Sequence, residues 1–239
     1  MSTSIRTFFF AAAVTILQHS SHAQSFINLD FEAANLPILA PEQPGGLVPV
    51  ANAMPGWSVF IGNEQGPVVF YNTPTLGSAA VWIIGPNFPT LPFGSIPPIE
   101  GRFTAYLTSG GGGNTEILPA SISQTGLVPA GMASIQARVN GRPPSVSLNG
   151  TEIMMFPISS GPGYTVYGGD VSAFSGQVAT LRFSALPTPE DPFRGFRLDA
   201  ISFSPLPVPE PGVIALAAIG TGFLGIRRWR NSRNRTNRT

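Results

Sequence analysis

The chain has 239 residues, with thirteen basic and twelve acidic side chains and a net charge of +1. That length suits one ordinary domain with flanking segments, or at most two small domains. Charged residues are only 10% of the chain, while it holds 27 Gly and 25 Pro, which disfavours a helical bundle or coiled coil; 43% hydrophobic residues disfavour full disorder. There is no Cys, so there is no disulfide frame, thiolate nucleophile or Cys-based zinc site. Every basic residue is Arg, and the two histidines, His19 and His22, fall in the first segment. If that segment is removed, the remainder has no imidazole for a Ser-His-Asp triad, a metal site or acid/base catalysis.

Residues 1–23 read as a secretory signal peptide. Arg6 supplies the positive start and Phe8 to Leu17 an apolar run broken only by Thr15. The run is too short to cross a bilayer. Ser21-His22-Ala23 offers small residues to a signal peptidase, which places cleavage before Gln24. The alternative is a retained N-terminal anchor.

Residues 24–205 read as one β-rich domain. Ile27, Leu29 and Phe31 alternate with Asn28, Asp30 and Glu32, which predicts a first strand. Trp57, Val59 and Ile61 follow the turn Pro55-Gly56, and Trp57 falls on the apolar face. Val68 to Tyr71 and Ala79 to Ile84 are short runs rich in β-branched and aromatic side chains. Pro86 to Pro98 holds five prolines and reads as an irregular, edge-covering excursion. Phe103, Ala105 and Leu107 alternate with polar neighbours, as do Ile135, Ala137 and Val139. Between them, Gly110 to Gly113 reads as a flexible loop, since no Gly-Lys-Ser/Thr follows to make a phosphate cradle.

Val146 to Leu148, the pair Asn149-Gly150 and Glu152 to Phe156 predict a hairpin, because Asn-Gly supplies the positive φ angles a tight turn needs. Leu181 and Phe183 begin another strand, and Phe196 to Phe203 closes the domain. Apolar parity slips between Leu198 and Ile201, which predicts a bulge. Nine or ten short strands without an amphipathic helix point to an all-β, two-sheet antiparallel β-sandwich, each strand having one apolar face to bury.

Residues 206–239 read as a second address. Val208-Pro209-Glu210-Pro211 precedes fifteen uncharged, mostly apolar residues, 212–226, and then Arg227-Arg228-Trp229-Arg230. Such a helix would be roughly 22 Å long against a hydrocarbon core of roughly 30 Å, so with snorkelling arginines it could just span. Six of the thirteen arginines lie at or after Arg227 with no acid among them, which puts the tail in the cytoplasm and the rest outside. The three parts in this order resemble the PEP-CTERM sorting signal of bacterial exported proteins. The resemblance implies Pro209, Glu210, Pro211, Arg227, Arg228 and Arg230 as the sorting motif. It also implies an exosortase-type membrane protease as partner, transient membrane anchoring by residues 212–226, and delivery to the cell surface. The alternative is a permanent single-span anchor. Without both ends, Gln24 to Leu206 holds six arginines and eleven acids, a net charge of about −5, which gives no support for nucleic-acid binding.

The central domain resembles the galactose-binding-like jelly rolls of carbohydrate-binding modules. Asn28 to Glu32, Pro55-Gly56-Trp57, Gly101 to Thr108, Ile122 to Thr125, Val146 to Gly150 and Leu198 to Phe203 carry the likeness. In those modules a carboxylate of the first strand and one of the last hold a structural calcium ion at an edge of the sandwich. The resemblance implies Glu32 and Asp199 for these roles, with Asp30 as a third candidate; the alternative is solvated strand-face acids. It also implies sugar contact through exposed aromatic rings, for which Tyr71, Trp82, Tyr106, Tyr164 and Tyr167 are the candidates. Paired carboxylates are the one hydrolytic scheme the composition leaves, and Glu190-Asp191, between prolines, reads as an exposed turn. The expectation is therefore a non-enzymatic, exported surface or matrix protein in an exopolysaccharide or biofilm setting. The alternatives are a module recognising one glycan and, last, a glycoside hydrolase.

Overall fold

The computed structural model describes residues 24–73, 75–89, 96–111 and 116–208. The segment 1–23, the span 212–226, Pro209, Glu210, Pro211 and the terminal arginines lie outside the described residues. Among the described residues no helix is long and apolar enough to cross a membrane.

The described residues are mostly β, with almost no helix, and form sixteen strands, more than the nine or ten expected. In order they are β1 (Gly46–Pro49), β2 (Ser58–Ile61), β3 (Glu64–Gly66), β4 (Val68–Tyr71), β5 (Ala80–Ile84) and β6 (Thr104–Thr108). Next come β7 (Gly110–Gly111), β8 (Ile117–Leu118), β9 (Ala120–Leu127), β10 (Ser134–Gly141), β11 (Ser145–Leu148) and β12 (Thr151–Ile153). The last are β13 (Phe156–Gly161), β14 (Tyr164–Asp170), β15 (Val178–Ala185) and β16 (Gly195–Ser204). One sheet has eight strands in the order β1-β4-β5-β6-β16-β10-β14-β13, and a second has six, β12-β11-β15-β9-β2-β3. The pair β7-β8 stands apart, so the first half of the four-glycine stretch is paired rather than loop.

The two large sheets share one apolar core, giving a β-sandwich-like arrangement. Val81, Ile83, Ala105, Leu107, Ile135, Ala137, Val139, Phe196 and Leu198 from one sheet meet Val59, Ile122, Val146, Leu148, Leu181 and Phe183 from the other. These are the positions the period-two pattern assigns to the inner faces of β2, β6, β10 and β11. The Asn149-Gly150 hairpin forms between β11 and β12 with Leu148 opposite Thr151, and both turn residues have positive φ, 49° and 79°.

Three further expectations are corrected. The alternating residues Ile27 to Glu32 form a turn rather than a strand. Asn28 and Phe31 adopt φ of 51° and 60°, and the Asn28 side chain accepts a hydrogen bond from Ala33 N and donates one to Pro55 O. An Asn that satisfies local backbone groups this way competes with strand pairing. Trp57 is buried as expected, and its indole N–H donates to Asn28 O, fixing this turn on the core.

The sandwich is also not wholly antiparallel, since β4 and β5 run parallel with Phe70 opposite Trp82. Asn72, fully buried, makes this possible. Its side chain accepts from Gly85 N at 2.7 Å and donates to Pro86 O at 2.9 Å, joining the ends of the two strands. Lastly, the described ends of the Pro86 to Pro98 excursion lie on a sheet face, not along an edge. Phe88 and Ile96 pack on Ala80, Trp82 and Ile84, on the side of β5 away from the main core. Covered on both faces, β5 has no polar alternation to show.

Candidate functional site

Two neighbouring features occupy the outer face of the eight-stranded sheet, and β16 supplies a residue to each. The first is built around the β16 bulge. Gln136 pairs with Ser202 and Arg138 with Asp199, so Ala200 and Ile201 together face Ala137. Ala200 takes the strained φ of 46°. The extra residue lets both Leu198 and Ile201 point into the core while Asp199 points away from it.

Asp199 nevertheless is only 1% exposed, because the loop before β6 lies over it. Its Oδ2 accepts from Thr104 Oγ1 at 2.5 Å and from Glu100 N at 3.1 Å, and its Oδ1 accepts from Ala200 N at 2.8 Å. Thr104 Oγ1 in turn accepts from Ile99 N at 2.8 Å. Glu32 grips the same loop from the other side, its Oε1 accepting from Arg102 N at 2.8 Å and Phe103 N at 2.9 Å. Gly101, at φ +57°, passes directly beneath that carboxylate, and a Cβ there would lie 2.4 Å from Glu32 Oε1.

The structure thus brings Glu32 and Asp199 to one loop, from a turn and from the last strand. Asp30 does not join them; its Oδ1 accepts from Glu32 N at 3.3 Å and serves the turn. Arg138, opposite Asp199 in register, sends its guanidinium to Glu100 Oε2 instead. The Asp199 carboxyl is therefore pushed up to about 6 by burial, against the pull of its three donors, with the Glu32 charge adding to the rise. Among the described residues no three His, Cys, Asp or Glu side chains group where they could hold a metal ion. A cation here would have two carboxylates and otherwise main-chain oxygens, a thin donor set for calcium.

The second feature is a row of side chains across four adjacent strands. Trp82 on β5 stands opposite Tyr106 on β6, Tyr106 opposite Arg197 on β16, and Arg197 opposite Asn140 on β10. The Trp82 and Tyr106 ring centres are 4.7 Å apart, and Phe88 stacks on Trp82 at 6.5 Å. Arg197 donates from Nε to Asn140 Oδ1 at 3.2 Å and from Nη1 to Pro97 O at 2.6 Å. Burial raises the pKa of the Tyr106 hydroxyl and lowers that of the Arg197 guanidinium. Trp82, Tyr106, Arg197 and Asn140 line a cavity of about 290 Å³.

The remaining aromatic candidates are not part of this row. Tyr71 is a core residue, 2% exposed, whose hydroxyl donates to Pro37 O at 2.7 Å, so it is no exposed platform. Tyr167 packs partly buried against the main core. Tyr164 lies half-buried beneath the Arg138 guanidinium, 5.1 Å from its ring centre. Trp82, 5% exposed, is a wall rather than an open surface. The Glu190-Asp191 turn is held by a 3.0 Å ion pair between Asp191 and Arg142. Sequence reasoning missed Arg197, Asn140, Thr104 and Gly101. Alternation put Thr104 and Asn140 on the polar side of their strands; the register and the loop path that bring the four to these sites were not legible.

The chain matches no known protein family and no curated protein.

Raised by burial, Asp199 favours the folded state when protonated. Between its ordinary value of 3.8 and about 6 it is protonated when folded and ionised when unfolded, so its contribution is present at low pH and lost as pH rises through about 6. The full displacement corresponds to about 3 kcal/mol. In urea titrations, Asp199→Asn should gain stability relative to wild type by about 2–3 kcal/mol between about pH 4 and about pH 7. Two parallel pH profiles would contradict the burial argument.

Proposed function

We propose that this chain is an exported, non-enzymatic cell-surface or matrix protein, with a jelly-roll domain delivered by an N-terminal signal and a C-terminal sorting tail of PEP-CTERM type. One observation carries the reading: the folded unit closes between the two segments read as addresses. Leu127 N donates to Gln24 O at 2.9 Å at one end, and Ser134 Oγ donates to Leu206 O at 2.7 Å at the other. Signal peptidase and an exosortase-type protease are the processing partners on this reading, and a surface polysaccharide is the setting in which the domain works. Intact-mass analysis of the protein from its native host tests it. The expected species begins at Gln24 and lacks the arginine-rich tail; a full-length chain retained in the cytosol would refute the proposal.

Calcium belongs to this reading as a weak structural ligand. Asp199 is buried beside a like charge, and no cation among the described residues pairs with it. That makes Glu32 and Asp199 the residues to hold the ion, with main-chain oxygens of the Ile99 to Phe103 loop. Two carboxylates predict an affinity of about 0.1–1 mM, the range of extracellular modules. Millimolar calcium should raise the melting temperature, more at pH 8 than at pH 5, because protons compete for Asp199. Asp199→Ala should abolish the effect. A wild-type melting temperature indifferent to both calcium and chelator removes the metal from the account.

A second reading, glycan recognition, is favoured by the row Trp82, Tyr106, Arg197 and Asn140, which combines aromatic walls with polar groups in one cavity.

A further inference from the structure

The cavity on the outer sheet face contains two kinds of unmet demand. Among the described residues, two buried side-chain polar atoms lack any hydrogen-bond partner, Trp82 Nε1 and Thr75 Oγ1, and both residues line this one cavity. Buried polar groups in folded proteins are nearly always partnered, so two orphaned atoms on residues that line one cavity point to a polar partner there. An indole N–H only donates, so it asks for an oxygen; a hydroxyl accepts or donates.

The second demand is for charge. Arg197 is the one formally charged residue among those lining the cavity. It takes no part in the two ion pairs found among the described residues, Arg138–Glu100 and Arg142–Asp191. Its neutral partners, Asn140 Oδ1 and Pro97 O, orient the guanidinium without neutralising it. Asp199, two positions further on β16, turns its carboxyl to Thr104 and Glu100 instead. A half-buried cation held in place by neutral groups is preorganised for an anion, and guanidinium geometry suits a carboxylate.

The rest of the wall is apolar: Trp82, Tyr106, Ile84, Ile96 and Phe193, the last 54% exposed. A volume of about 290 Å³ is at the small end for ligand pockets and holds one ring rather than an extended chain.

We propose that this cavity binds a single hexuronate unit, a pyranose ring bearing one carboxylate. The carboxylate pairs with Arg197, the ring's C–H face lies on the aromatic wall, and its hydroxyls partner the Trp82 indole and Thr75. An inorganic anion leaves the aromatic wall without a role, and a neutral hexose leaves the guanidinium uncompensated. The proposal rests on the glycan reading above and narrows it to acidic saccharides. A domain with a net charge of about −5 gains no long-range attraction for such a ligand, so selectivity comes from this one guanidinium.

The test is calorimetric titration of the full chain with the methyl glycosides of galacturonate and glucuronate, their neutral parent hexosides, and sodium acetate. At low salt at least one uronide should bind about ten-fold more tightly than its neutral parent, the gain of a charge-assisted pair, and added salt should narrow the gap. Arg197→Gln should cut that preference to within about two-fold. Trp82→Phe, which keeps an apolar ring and removes the N–H, should weaken acid and neutral sugars alike. Thermal unfolding of both variants establishes that they are folded. Equal binding of uronide and neutral hexoside overturns the proposal and leaves glycan recognition standing. Acetate binding as tightly as the uronide also overturns it, leaving an anion site alone. No saccharide binding by the folded wild-type chain defeats this proposal and the glycan reading together.

Discussion

The Asp199 carboxylate, buried beneath the loop that precedes β6, is the constraint on which the outer sheet face depends. A bulge at Ala200 and Ile201 resets the parity of β16, so the strand can fill the core with Leu198 and Ile201 and still present Asp199 on the far side. The carboxylate then acts as an acceptor for three donors, two of them from the loop side, Glu100 N and Thr104 Oγ1. Glu32 completes the grip through Arg102 N and Phe103 N. Two residues earlier on the same face of β16, Arg197 donates to Pro97 O and secures the start of that loop. One strand therefore positions the loop with an anion and a cation, and Ile96, just before it, becomes a wall of the neighbouring cavity.

This arrangement explains why a chain with few charges spends some of them in expensive places. Burying a carboxylate or a guanidinium without a counter-charge is unfavourable unless hydrogen bonds replace the lost water. Asp199 recovers part of that cost through its three donors, and burial still pushes its carboxyl up to about 6. Arg197 recovers it only in part, through two neutral acceptors. Neither group meets a counter-charge in an ion pair among the described residues, and Trp82 Nε1 and Thr75 Oγ1, on residues lining the cavity with Arg197, have no hydrogen-bond partner.

Local chemistry was the legible part of the sequence. The inner-face alternation of β6 and β10, the Asn149-Gly150 hairpin, the burial of Trp57 and the β16 bulge each follow from a few adjacent residues. The misreadings have equally physical causes. Ile27 to Glu32 alternates like a strand, but the Asn28 side chain satisfies backbone groups locally and Phe31 turns the chain at positive φ. Tyr71 looks like a platform until its hydroxyl is seen to reach Pro37 O from inside the core. The parallel β4-β5 pair depends on buried Asn72 reaching Gly85 and Pro86, a contact no periodicity reveals. The row Trp82, Tyr106, Arg197 and Asn140 joins four strands far apart in sequence. Alternation places Tyr106 and Asn140 on polar faces, but only strand order and register bring them into one wall with Trp82 and Arg197.

The most direct measurement is the titration of the Asp199 carboxyl carbon by NMR in the folded protein. A midpoint near 6, well above the ordinary 3.8, is the result this account requires, because it reports a carboxylate sealed under its loop. A midpoint at the ordinary value would mean that water reaches Asp199, that the loop is not held as described, and that the cavity wall resting on it has lost its support.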